Sequence, residues 1–250
     1  MPTTSQELSA LILKQLLEKI NSSRALEEFK EDTRYDWHDR AQILVKDLTP
    51  KLVNLSSLFI ARPQEWNPQF TQPDNFYLFE YVENASNTFV NVRVKEQLEQ
   101  IGYKQNPAHT NRSPDFIYEK FSYGNLPKYK KGLHEQPCLY GKNGGVSNVP
   151  DGLELKSNLN IMGIIPHARN VGLHLSTIFK KSENGIMTVS EMYVAFALRS
   201  DYIKYKENSS KTTRKYLLSK AEFISLQTGQ AYPITPILGS KGKYKATLDL

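Results

Sequence analysis

Apolar side chains near the N-terminal end recur at helical intervals. Leu8, Leu11, Ile12, Leu16 and Ile20 lie three or four residues apart, behind Thr4 and Glu7 at capping-box spacing, and predict an amphipathic helix. A second helix is predicted over residues 24–32. A third runs from about Asp39 to Phe59, with Pro50 expected to end or kink it. Residues 62–77, RPQEWNPQFTQPDNFY, lose all periodicity to Pro, Gln and Asn and read as a long loop. Past that loop, Val90, Val94, Leu98 and Ile101 restore the helical spacing and predict a helix over residues 87–101.

The pattern then changes to strands. DFIYEKF (115–121) predicts a short strand, followed by a turn-rich excursion up to Pro150-Asp151-Gly152. LELKSNL (153–159) predicts a second strand. SEMYVAFALRSDYIKY (190–205), dense in aromatic and β-branched residues, carries the strongest strand signal. A basic segment follows that turns helical near Arg214–Phe223, and the tail from Tyr232 reads as loop and edge strand. Helices and strands in this order predict an α/β fold with a central mixed β-sheet flanked by helices. Residues 1–76 form a helical N-terminal region suited to dimerisation or bracing, and residues 77–250 form the main domain.

Composition narrows the classes. With 39% hydrophobic and 23% charged residues, the chain is ordinary for a globular protein. It contains no apolar run of about 18 residues, so no membrane partner is expected. The opening MPTTSQELSA lacks signal-peptide character, and the single cysteine, Cys138, excludes an internal disulfide; a prokaryotic cytoplasm is the expected compartment. Charge is unevenly placed. Residues 1–100 carry 11 basic and 15 acidic side chains, whereas residues 101–250 carry 21 and 11, an excess that suits a polyanion. The five histidines show no helical zinc spacing, and GKNGG (141–145) lacks the Lys-Ser/Thr of a phosphate loop, so no nucleotide cofactor is expected.

One stretch stands out chemically. In GLELKS, strand alternation sends Glu154 and Lys156 to one face and Leu155 to the other. Such a pair is often only a surface ion pair worth about 0–1 kcal/mol. Beside a second carboxylate it becomes a site for a hard cation. Two aspartates are available, Asp115 in SPDF and Asp151 in PDG. Asp151 stands an odd number of residues from Glu154, which puts it on the opposite face of a regular strand, and Asp-Gly is a favoured turn dipeptide. Asp115 opens its own strand and can face Glu154 across the sheet, so it is the favoured partner.

SPDF followed by GLELKS resembles the PD-(D/E)xK nuclease superfamily, most closely its type II restriction endonucleases. The resemblance covers about residues 87–205 and implies a restriction-endonuclease-like core, with the acidic residue and Glu-x-Lys on adjacent strands of a hairpin. It implies a catalytic set of Asp115, Glu154 and Lys156, and Mg²⁺ held by Asp115, Glu154 and the Leu155 carbonyl. Lys156 would position or deprotonate the attacking water, and the products would be 5′-phosphate and 3′-hydroxyl ends. Glu96 or Glu99 is a candidate for a second metal.

The implied partner is double-stranded DNA, with a homodimer expected if the target is palindromic. Phosphate and base contacts are expected from Lys128, Lys130 and Lys131 in the excursion, where Lys120, Phe121, Tyr123 and Tyr129 interleave. Asn158, Arg169 and Asn170 follow the Glu-x-Lys strand, and Lys211 and Arg214 form a second basic group. Two other readings fit the residues: a repair or recombination nuclease acting on DNA structure, and a non-catalytic DNA-binding regulator.

Overall fold

The computed structural model describes Pro2 and residues 4–61, 95–107, 114–127, 139–140, 145–159, 171–181, 187–204, 216–218, 220–238 and 244–248. Three helices open the chain: α1 (Ser5–Ile20), α2 (Ser23–Lys30) and α3 (Trp37–Ala61). The capping box at α1 forms, with Thr4 Oγ1 accepting the Glu7 N–H at 3.1 Å and Glu7 Oε2 accepting the Thr4 N–H at 3.2 Å. Leu8, Ile12, Leu16 and Ile20 make its buried face. Helix α3 continues through Pro50, so of the two expected outcomes, an end or a kink, the first does not occur. Pro50 is exposed, so the carbonyl it leaves unpaired lies on the solvent side, and buried Leu48, Leu52 and Val53 hold both halves of the helix on the core.

The strands are β1 (Tyr103–Gln105), β2 (Phe116–Tyr118), β3 (Leu139–Tyr140), β4 (Val146–Ser147), β5 (Gly152–Leu159), β6 (Gly172–Lys181), β7 (Met187–Ala197), β8 (Tyr202–Lys204), β9 (Tyr216–Leu218), β10 (Glu222–Ser225), β11 (Ala231–Leu238) and β12 (Tyr244–Leu248). Eight of them form one mixed sheet in the order β1-β2-β5-β6-β7-β10-β11-β12. Among the described residues only the β5–β6 pair of this sheet is parallel. The protein is thus α/β with a central mixed sheet.

Each face of the sheet has its own cover. Leu153, Leu155, Leu173, Leu175, Val194 and Phe196 alternate onto the face that packs against α1 and α3, in one core with the helices' apolar stripes. The opposite face carries Ile178, Tyr193, Ala195 and Phe223, covered by Tyr202 and Leu218 of the β8–β9 hairpin. The N-terminal helices therefore share the sheet's core; the expected boundary near residue 76 and the loop at 62–77 lie outside the described residues. Of the helix expected over 87–101, residues 95–99 are helical, and residues 87–94 are outside the described set.

Several elements depart from the pattern-based reading. The run 190–205 is two strands, because the chain turns through a 3-10 segment at Arg199–Asp201. Buried Asp201 fixes that turn, accepting the Leu198 N–H at 2.8 Å and pairing with Lys19 of α1 and Arg24 of α2. The helix expected near 214–223 is absent: Tyr216–Leu218 and Glu222–Ser225 are strands. Leu218 and Phe223 reach the second core as strand residues, by pairing with distant segments, and Ala221 reaches it from the link between the two strands. The strand at 115–121 shortens to three residues, followed by a turn at Glu119–Lys120. Most of the tail is strand, and β6 had no counterpart in the reading at all.

Candidate active site

The site forms where β2 runs out beside β5. Their antiparallel register pairs Ile117 with Gly152 and Phe116 with Leu153, so the next step sets Asp115 beside Glu154. Because β2 stops at Phe116, the Leu155 N–H has no strand partner on that side; Asp115 Oδ2 accepts it at 2.7 Å. The Asp115 N–H donates to the Leu153 carbonyl at 2.9 Å. The carboxylate is thus laid over the middle of the Glu-Leu-Lys triplet.

Glu154 and Lys156 point together to the face away from the helices, and the Lys156 ammonium donates to Glu154 Oε1. Leu155 points into the main core. Glu154 is buried and Lys156 half-buried. Burial, and then the charge of Glu154, push Asp115 up to about 7, against the pull of Lys156 and the Leu155 N–H. Burial works against the Lys156 ammonium, but Glu154 and Asp115 outweigh it and raise its pKa. The site therefore holds two crowded carboxylates and one firmly protonated amine.

Strand β6 supplies a flank that the pattern reading missed. Its parallel register pairs His174 with Glu154 and Ser176 with Lys156. His174 is fully buried, with Nδ1 3.1 Å from the Gly172 carbonyl and Nε2 3.4 Å from the Tyr202 hydroxyl. A carbonyl only accepts, so Nδ1 carries the proton and Nε2 is the acceptor. Burial lowers His174 to about 4, so the ring is neutral at physiological pH. Ser176 Oγ is buried without a hydrogen-bond partner among the described residues. The available signal was the alternation Leu173-His174-Leu175-Ser176, the period of a half-buried strand.

Asp151 occupies the helix side of the sheet. Fully buried, it meets Arg40 of α3 at 3.3 Å. The chain turns at Pro150-Asp151, as a turn dipeptide leads one to expect, and Gly152, which is not a positive-φ glycine, is the first residue of β5. What it permits is close approach. A Cβ there would lie 2.1 Å from Pro114 Cγ and 2.5 Å from Pro114 Cβ. Gly152→Ala is expected to cost about 1–3 kcal/mol of overpacking, read as a lower midpoint of urea unfolding. Because Pro114 precedes Asp115, the same clash moves the carboxylate.

Other expected residues divide as follows. Lys128, Lys130, Lys131, Arg169, Asn170, Lys211 and Arg214 lie outside the described residues. Asn158 stands on β5, two positions beyond Lys156. Glu99 is ion-paired with Lys95 at 3.6 Å. Of Phe121 and Tyr123, expected in a DNA-contacting loop, Tyr123 is a buried core residue and Phe121 is half-buried against that core; both rings face Arg40. Among the described residues no three His, Cys, Asp or Glu side chains gather as a metal cluster, so a cation here would draw on the carboxylate pair and backbone oxygen. No described helix is long and apolar enough to cross a membrane. No protein-family model, curated protein or solved structure matches the chain.

Proposed function

We propose that the chain is a Mg²⁺-dependent endonuclease that hydrolyses phosphodiester bonds of double-stranded DNA, with a restriction-endonuclease-like core and the sequence specificity of a type II restriction enzyme. The register of β2 on β5 carries this reading. It sets Asp115 beside Glu154, with Lys156 one alternation along the same face, on adjacent antiparallel strands. The resemblance of SPDF and GLELKS to PD-(D/E)xK nucleases calls for that arrangement.

Asp115, Glu154 and the Leu155 carbonyl offer the hard oxygen donors that Mg²⁺ takes. Burial, and then the charge of Glu154, raise Asp115, which supports the fit because a divalent cation offsets both. When bound, Mg²⁺ supplies Lewis acidity toward the phosphoryl group and favours ionisation of water. Lys156, kept protonated beside both carboxylates, orients the attacking water and offsets phosphoryl charge; this favours positioning over proton abstraction. The basic excess beyond residue 100 supplies non-specific attraction to the phosphate backbone. A palindromic target would then suit a homodimer.

The test is digestion of plasmid and phage DNA with Mg²⁺, with and without EDTA. Discrete fragments that vanish with EDTA support the reading. Cutting governed by junctions or lesions would move it to a repair nuclease, and metal-independent binding without cutting would leave a DNA-binding protein.

A pH dependence follows from Asp115. Mg²⁺ needs the carboxylate, so below about pH 7 the proton competes; affinity is expected to fall roughly tenfold per pH unit there and to level off above. For the metal-free protein the sign reverses. A carboxyl whose pKa is raised by folding stabilises fully below its unfolded value near 3.9, and that contribution is lost as pH rises through about 7. Mg²⁺ should therefore raise Tm at pH 8 and leave it nearly unchanged at pH 5, as thermal unfolding with and without Mg²⁺ would record.

A further inference from the structure

Asn106, just past β1, is completely buried, and its amide is used on two chain segments at once. Nδ2 donates to the Pro114 carbonyl at 2.7 Å and to the Val146 carbonyl at 2.8 Å, while Oδ1 accepts the Val146 N–H at 3.0 Å. Its backbone N–H donates to the Asp115 carbonyl at 2.8 Å. Only one orientation of the amide fits, because two carbonyls need donors and one N–H needs an acceptor. The stretch Pro114-Asp115 needs this support. Proline brings no N–H, and the pairing of β2 with β5 ends at Phe116. The Asp115 N–H to Leu153 bond holds that stretch to β5; the bonds from Asn106 hold it to β1 and to β4, where the excursion between the two site strands returns.

We infer that Asn106 is the positioning residue for Asp115: it sets the backbone from which that carboxylate reaches the divalent cation. The inference rests on the nuclease reading above. No common replacement does the same work: leucine has similar bulk but no polar atom, and an ionised aspartate has no donor for the two carbonyls.

The test is a Mg²⁺ titration of the full-length, DNA-free protein at pH 8 by calorimetry, with unfolding curves for each variant. Asn106→Ala and Asn106→Ser are compared with Thr49→Ala, a control of similar burial on α3 that loses its 2.6 Å bond to the Val45 carbonyl. Where all are folded, the Asn106 variants are expected to lose about 10–100-fold in Mg²⁺ affinity and the Thr49 variant almost none. A folded Asn106→Ala with wild-type affinity overturns the inference and leaves the nuclease reading standing. Wild type and control that both fail to bind Mg²⁺ overturn both. If neither Asn106 variant folds, NMR on wild type decides. The Asn106 side-chain amide signals should titrate with those of Asp115 and Val146, and their staying fixed while Asp115 shifts overturns the inference.

Discussion

Asp115→Asn, Glu154→Gln and Lys156→Ala are each expected to reduce DNA cleavage by at least about 10³-fold, the equivalent of about 4 kcal/mol of transition-state stabilisation. The substitutions separate chemistry from folding. Asn at 115 still offers an oxygen to the Leu155 N–H, so the local staple survives while the anion is lost. Burial and Glu154 make the ionised Asp115 costly to the metal-free fold. Removing that charge should therefore raise the metal-free Tm at pH 8 even as cleavage disappears, the usual opposition between a strained site and stability. Lys156→Ala works the other way, leaving two crowded carboxylates without their cation, and should make stability more dependent on Mg²⁺. Single-turnover cleavage with paired thermal unfolding checks all three. A variant that keeps cutting near the wild-type rate would remove its residue from the site.

How much of this was legible in the chain depends on which interactions decide each element. The capping box and the buried stripe of α1 are local, and the sequence pattern suffices for them. The same holds for Glu154 and Lys156, whose shared face follows from an alternation of two on a strand that sends Leu153 and Leu155 to the other face. The strand β6 is different. It is buried on both faces, yet one carries His174 and Ser176 where a buried strand usually carries aliphatics, because it flanks the site. Strands β9 and β10 were lost to helix propensity for a related reason. Their pairing partners, β8 and β7, are decided by the tertiary fold, which short windows do not contain.

The partner of Glu154 was a question of register across 39 residues of chain, and no local pattern settles register. Odd spacing excluded Asp151 from the face of Glu154, but it gave no reason for Asp151 to be buried. That reason is Arg40, which stands 111 positions away. Asn106 is a further case. An asparagine after a short strand reads as a loop residue, and only the return of Val146 shows that its side-chain amide donates and accepts inside the protein.

Arg40→Ala is expected to be the most destabilising single change among the charged residues, at about 3–5 kcal/mol near pH 8. The guanidinium lies 3.3 Å from Asp151 Oδ2, donates to the Ser122 carbonyl at 3.2 Å, and sits over the rings of Tyr35 and Phe121 at 4.3 and 4.5 Å. Deleting it removes packing and leaves a fully buried carboxylate without its cation. Burial already raises Asp151 to about 6 despite the opposing pull of Arg40, so without the arginine it rises further. A raised carboxyl loses its stabilising contribution as pH climbs through the folded pKa, so the cost of Arg40→Ala should be large at pH 8 and shrink toward pH 5, where Asp151 takes a proton. Urea unfolding of wild type and variant at both values measures the difference. A cost independent of pH would mean that the arginine acts through ring packing alone. The same pair settles the choice between the two aspartates: Asp151→Asn, in conditions where it is folded, should cut DNA, whereas Asp115→Asn, with its fold intact, should not. The opposite pattern would place the metal on the helix side of the sheet, where Arg40 already occupies the position facing Asp151.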